Sequence, residues 1–129
     1  MSALDSAMEW VEYAEEDFLM AKSALRRKKP FIISSCFHSQ QCAEKYFKAM
    51  LISKGMEFPK THDLVILNGI CNQAGIITGL TKENLGRLSA YAVHTRYPGA
   101  QPVPEEGEEA LEISGTIRKF ARVFLGVGR

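Results

Sequence analysis

The chain has 129 residues, 46% of them hydrophobic and 24% charged, with 16 Lys and Arg against 15 Asp and Glu. That balance excludes a disordered chain, a collagen-like repeat and a polycation, and it suits one globular domain over residues 1–129. With a net charge of +1, any contact with nucleic acid has to come from a local patch.

No apolar run approaches the roughly 20 residues that span a bilayer, which predicts no membrane segment. The opening Met1, Ser2, Ala3, Leu4, Asp5 lacks the basic start and apolar stretch of a signal peptide, which predicts a cytoplasmic protein. Cys36, Cys42 and Cys71 are odd in number and sit in apolar helical patterns, so they are expected to be buried, reduced thiols.

Leu4, Ala7, Val11, Ala14, Phe18, Ala21 and Leu25 alternate three and four apart and define one face of a first helix. Ser2 can cap its start; Arg26, Arg27, Lys28, Lys29 and then Pro30 mark its end. Alanine at every second seam position lets another helix come close. A second helix is expected from about Phe31 to Lys54, stopping at Gly55, with Ile33, Cys36, Phe37, Ala43, Phe47, Met50 and Leu51 inward. At 1.5 Å per residue both helices are about 35 Å long, and the proline turn between them makes an antiparallel hairpin.

A loop over 56–62 contains Pro59. The next helix is expected from about Asp63 to Ala74, with Leu64, Val65, Leu67, Ile70 and Cys71 inward and Gly75 at its end. Ile76 to Leu80 reads as a packed connector, because no second strand exists to pair with it. Thr81 is a good N-cap for a fourth helix, with Leu85, Leu88 and Ala92 on one side, which runs on until Pro98-Gly99, Pro102 and Pro104 break the chain. The last helix opens on Glu105 and Glu106, which suits the helix dipole, and turns Ala110, Ile113, Ile117, Phe120, Ala121 and Phe124 inward. The fold class is therefore all-α: an up-and-down four-helix bundle with an additional short helix.

A Gly-rich phosphate loop, a Walker lysine and a paired-Cys zinc motif are all missing, and no cofactor or metal is implied. Cys36 and His38, two apart on a helix, point in different directions, which favours a core cysteine and a surface histidine. The basic run 26–29 reads as a solvated helix-capping cluster, with phosphate contact as the alternative. Glu44 precedes Lys48 by four residues, the favourable order for an ion pair. Gln40 and Gln41 beside an apolar seam invite an interhelical or ligand hydrogen bond.

Arg87 and His94, seven residues apart on the expected fourth helix, would share a face about 10 Å apart along its axis. A histidine that activates a 2′-hydroxyl and an arginine that holds a phosphate are what metal-independent RNA cleavage needs. Arg96, Tyr97 and Pro98 end the same expected helix, where Arg96 either joins a basic site or caps the last carbonyls and Tyr97 packs over the bundle end.

Taken together, Gln40 to Ala49 on the second helix, Lys60-Thr61-His62-Asp63-Leu64 after the loop and Thr95-Arg96-Tyr97-Pro98 before the last helix resemble the HEPN family (higher eukaryotes and prokaryotes nucleotide-binding domain). Trp10, Ala14, Asp17 and Phe18 on the opening helix fit the same order. The resemblance implies a helical bundle, often a homodimer, that works beside a minimal nucleotidyltransferase partner as toxin and antitoxin or in stress defence. Many members are metal-independent RNases using an Arg, four to six residues and a His; here only Arg87 and His94 fit, with Leu88 where a polar residue is usual. The chain looks closer to the branch carrying Arg-Tyr-Pro, for which nucleotide or partner binding is implied, with Lys45, Lys48, His62, Arg96 and Tyr97 as candidate nucleotide or RNA contacts. A non-catalytic helical dimerisation scaffold is the remaining alternative.

Overall fold

In the computed structural model residues 2–92 and 103–128 are described. They form five α-helices and, among the described residues, no strand: α1 (Ala3–Leu25), α2 (Ile32–Ser53), α3 (Leu64–Gln73), α4 (Lys82–Ser89) and α5 (Pro104–Leu125), with a 3₁₀ turn over Ala90–Ala92 after α4.

Local chemistry sets most of the helix starts. Ser2 and Asp5 form a reciprocal capping box on α1, the Asp5 N–H donating to Ser2 Oγ at 3.1 Å and the Ser2 N–H to Asp5 Oδ2 at 3.3 Å. The Asp63 carboxylate accepts from the Val65 N–H at 2.9 Å and caps α3, and Thr81 Oγ1 accepts from the Asn84 N–H at 3.1 Å and caps α4. At the start of α5, Pro104 occupies the first turn and Glu106 Oε1 accepts from the Val103 N–H. Gly126 ends α5 in the left-handed conformation, φ 73°, and lets the Val127 N–H reach back to the Arg122 carbonyl at 3.0 Å.

The long hairpin of α1 and α2 is the frame, and α2 is its centre: α1 and α5 pack on it lengthwise, and α3, α4 and the 3₁₀ turn close its remaining side. The core it organises is continuous through Ala7, Ala14, Tyr46, Phe47, Met50, Leu51, Leu64, Leu67, Leu85, Leu88 and Ile117. Ala7, Ala14 and Ala21 are fully buried, so the small seam of α1 does bring α2 close. Gly107 does the same for α5: a Cβ there would lie 2.9 Å from Leu25 Cδ1 and 3.5 Å from Ile32 Cγ2.

Four residues expected inside lie on the surface: Leu4, Ile33, Phe37 and Phe124 are 38% to 51% exposed. All sit within the first two turns or the last turn of their helices, where neighbours surround the helix on fewer sides than at mid-length. Phe37 packs edge-on against the His38 ring, and Phe124 stacks on Phe120. The fourth helix is also shorter than the sequence suggests. It ends at Ser89, and the chain tightens into the 3₁₀ turn, with the Tyr91 hydroxyl donating to Glu106 of α5 at 2.9 Å. A shared face for Arg87 and His94 required an unbroken helix, and His94, Arg96 and Tyr97 lie outside the described residues.

Candidate functional site

The polar stripe of α2 points inward. Gln40, Glu44 and Lys48, spaced four apart, are all buried, at 0%, 4% and 7% exposure. Charges this deep need partners, and Glu44 has three. Lys48 Nζ donates to its Oε2 at 2.9 Å; His62 Nδ1 meets Oε1 at 2.8 Å and Gln40 Nε2 meets it at 3.2 Å. Burial alone would push the Glu44 carboxyl up, but these hydrogen bonds and the Lys48 charge hold it below the usual carboxylate range. An ionised Glu44 only accepts, so the His62 proton sits on Nδ1 and Nε2 is left for solvent or a ligand. Lys48 Nζ also lies 5.6 Å from the ring centres of both Trp10 and Phe58, which meet edge to face.

Backbone bonds lock the loop before α3 onto this network. Gln40 Nε2 donates to the His62 carbonyl at 3.0 Å, and Ser89 Oγ of α4 donates to the same carbonyl at 3.1 Å. Ser89 Oγ in turn accepts from the Leu64 N–H at 2.9 Å. Gln41 Nε2 completes the chain by donating to Gln40 Oε1 at 2.7 Å. The His62 ring thus stands on a buried base with its outer edge exposed.

An open cleft of about 590 Å³ lies in front of that edge. One wall is the loop 60–63 with Val65; the other is the face of α4 and the following turn made by Gly86, Ser89 and Ala90. Nothing lies within 4 Å of where a Gly86 Cβ would stand, so packing does not demand the glycine, and the wall it leaves is flat. Lys60 supplies the cationic donor of the cleft and His62 Nε2 an acceptor, whereas the Asp63 carboxylate is committed to the α3 cap. Such a site can hold an anion against a flat surface.

Of the residues expected to form one polar site, Lys48 and His62 therefore meet through Glu44. Lys45 does not join them. It pairs with buried Asp17 of α1, which also binds His38 Nδ1 at 2.8 Å. His38, expected at the surface, is half-buried by that bond. A third network tightens α1, α2 and α5: Arg118 grips Glu15 with two bonds of 2.7 Å, and the Tyr46 hydroxyl donates to Glu15 at 2.6 Å. Burial opposes the Glu15 charge, yet Arg118 and Tyr46 bring its pKa below the ordinary value, while burial pushes the Cys42 thiol up to about 12. Both clusters are ion-pair networks between helices, and Arg118 also lines an open groove of about 930 Å³ with Phe18, Lys22, Lys119 and Phe120.

Arg87 stands apart from the cleft network. Its Nε donates to Glu109 Oε1 at 2.8 Å and a terminal nitrogen to Asn84 Oδ1, tying α4 to α5. Sequence reasoning missed the Glu44–His62 contact, the Asp17–His38–Lys45 cluster and the role of Ser89, because each joins helices distant in the chain. The Gln40 hydrogen bond was signalled by a glutamine beside an apolar seam.

Among the described residues no group of three or more His, Cys, Asp or Glu is placed to hold a metal, and no helix is long and apolar enough to cross a membrane. No curated protein matches the chain. The structure is similar to the crystal structure of TT1696 from Thermus thermophilus, with a TM-score of 0.69 and 25% identity over 92% of this chain and 97% of that one. Residues 7–124 match the HEPN domain, a span that runs from the first buried alanine of α1 to the last turn of α5 and takes in the whole Gln40–Glu44–Lys48–His62 network. On that match, the five-helix bundle around α2 belongs to the HEPN family of nucleotide-binding domains.

Proposed function

We propose that the cleft between the 60–63 loop and α4 binds a nucleotide or the backbone of an RNA, and that the protein works in the cytoplasm with a minimal nucleotidyltransferase partner of the toxin–antitoxin or stress-defence type. The single observation that carries this reading is the His62 ring, fixed on an ionised buried Glu44 and presented with Lys60 at the mouth of a cleft. A phosphate there takes its charge and its donor from Lys60, and a ribose hydroxyl of the same ligand donates to the open His62 Nε2. A base or ribose then lies against the flat wall of Gly86, Ser89 and Ala90. Lys48 acts from inside by keeping Glu44 charged, and Lys45 holds α1 to α2 through Asp17. Arg96 and Tyr97 follow the 3₁₀ turn in sequence and are proposed as further contacts.

Titration calorimetry with mononucleotides and with short single-stranded RNA tests this. Saturable binding is expected that weakens with salt, as phosphate contacts do. Lys60→Ala and His62→Ala should each weaken it at least about tenfold, about 1.4 kcal/mol. Binding by neither ligand class, or equal binding by the parent and both variants, overturns the proposal.

A further inference from the structure

The open groove of about 930 Å³ beside Arg118 takes no part in the cleft at His62. It runs over α5, and residues of α1 and Thr78 of the 76–80 connector help to line it. Its floor is apolar. Phe120 and Phe124 stack with their planes 9° apart and their centres 6.4 Å apart, Phe18 of α1 is half-buried, and Val123 is 59% exposed. A volume of this size, lined by aromatic side chains and a few charged groups, is the usual make-up of a small-molecule site.

Three cations and one acid stand around that floor: Lys22, Arg118, Lys119 and Glu112. Two of the cations lie over the Phe18 ring, Arg118 Cζ at 4.9 Å from its centre and Lys22 Nζ at 5.8 Å. Arg118 gives Nε and one terminal nitrogen to Glu15, and its Nη1 makes no hydrogen bond among the described residues. Among the same residues neither Lys22 nor Lys119 forms an ion pair. The hydroxyl protons of the groove are already given: Thr78 Oγ1 donates to Asn68 Oδ1 at 2.9 Å, and Thr116 Oγ1 to the Glu112 carbonyl at 3.0 Å. The lining therefore offers apolar surface and positive charge, with few partners for the edge of a base or a ribose.

Gly115 sits in this groove without a demand from packing. A Cβ there would lie 3.7 Å from Phe18 Cε1, an ordinary contact, so alanine would fit and would favour the helix. The glycine keeps open the space that a larger side chain would take from a ligand.

We infer that this groove binds an amphipathic anion, an acyl chain with a carboxylate head. The chain lies on Phe18, Phe120, Val123 and Phe124, out of water. The carboxylate sits where Lys22 and Arg118 converge over Phe18, and Lys119 adds charge to that end. The sign of the lining selects the head group, because only Glu112 could receive a cation. The inference stands independently of what the cleft at His62 binds.

Titration calorimetry on the full chain tests it, with decanoate and decyltrimethylammonium as probes below their micelle concentrations. One decanoate per chain is expected to bind saturably, and the cation of equal chain length at least about tenfold more weakly. Lys22→Ala/Lys119→Ala should weaken decanoate at least about tenfold and bring the two probes together. Val123→Asp, at an exposed position, should also weaken decanoate while circular dichroism stays that of the parent. Absence of saturable decanoate binding overturns the proposal. So does equal affinity for the two probes, decanoate binding unchanged in either variant, or displacement of decanoate by a mononucleotide, which would make the groove a nucleotide site.

Discussion

A carboxylate with 4% of its surface exposed has to be held by donors, and the three on Glu44 make it the most consequential single residue of the site. Its folded pKa lies below its unfolded one, so its contribution to stability is complete above the unfolded carboxylate range. That contribution is lost as pH falls through the depressed folded value. Urea melts from neutral to acid pH should therefore show the parent losing more stability than Glu44→Gln. At neutral pH the same substitution leaves the Lys48 ammonium buried without its counter-charge and should cost about 3–5 kcal/mol. Glu44→Gln/Lys48→Met, which removes both charges, should recover much of that loss. If the double variant is as unstable as the single one, the pair is not what holds this corner together.

At the scale of the helix, two glycines inside regular α-helices have opposite reasons to exist. Gly107 of α5 lies against Leu25 of α1 and Ile32 of α2, and the contact allows no larger residue without movement. Gly107→Val should destabilise by about 1–3 kcal/mol, measured by denaturant melts, because an overfilled contact forces its neighbours out of place. Gly86 of α4 has open space where its side chain would be. Gly86→Ala should stabilise by about 0.5–1 kcal/mol, the ordinary gain of alanine over glycine in a helix. Because Gly86 forms part of the cleft wall, that gain should come with weaker nucleotide binding in the same calorimetric assay. A variant that is stabler and binds as well as the parent would remove the cleft's claim on this residue. Both glycines are visible in the sequence, but their reasons are not, since each depends on what another helix places in front of the Cα.

At the scale of the whole molecule, ligand and fold are linked, because a cleft closed by loop, α3 and α4 exists only in the folded chain. A bound nucleotide at 100 times its dissociation constant should add about 2.7 kcal/mol and raise Tm by several degrees. In His62→Ala the same addition should leave Tm almost unmoved. A shift as large in His62→Ala as in the parent would place the ligand elsewhere.

Helix identity, order and caps were legible in the amino-acid sequence because they depend on neighbours within four residues. The alanine seam of α1, the Pro30 turn, Asp63, Thr81 and Gly55 do their work locally. The three buried cysteines and the family motifs around Gln40 and His62 were legible for the same reason. Periodicity names a face but not its cover, which is why Leu4, Ile33, Phe37 and Phe124 read as core and stand at the surface. Lys45 and Lys48 are three apart in one motif, yet Asp17 claims the first and Glu44 the second. That division, like the seat of His62 on Glu44 and the tie from Ser89, comes from helices that are far apart in sequence and touch only after packing. Burial then raises the cost of every unpaired charge, so tertiary contacts choose the partners that local spacing leaves open.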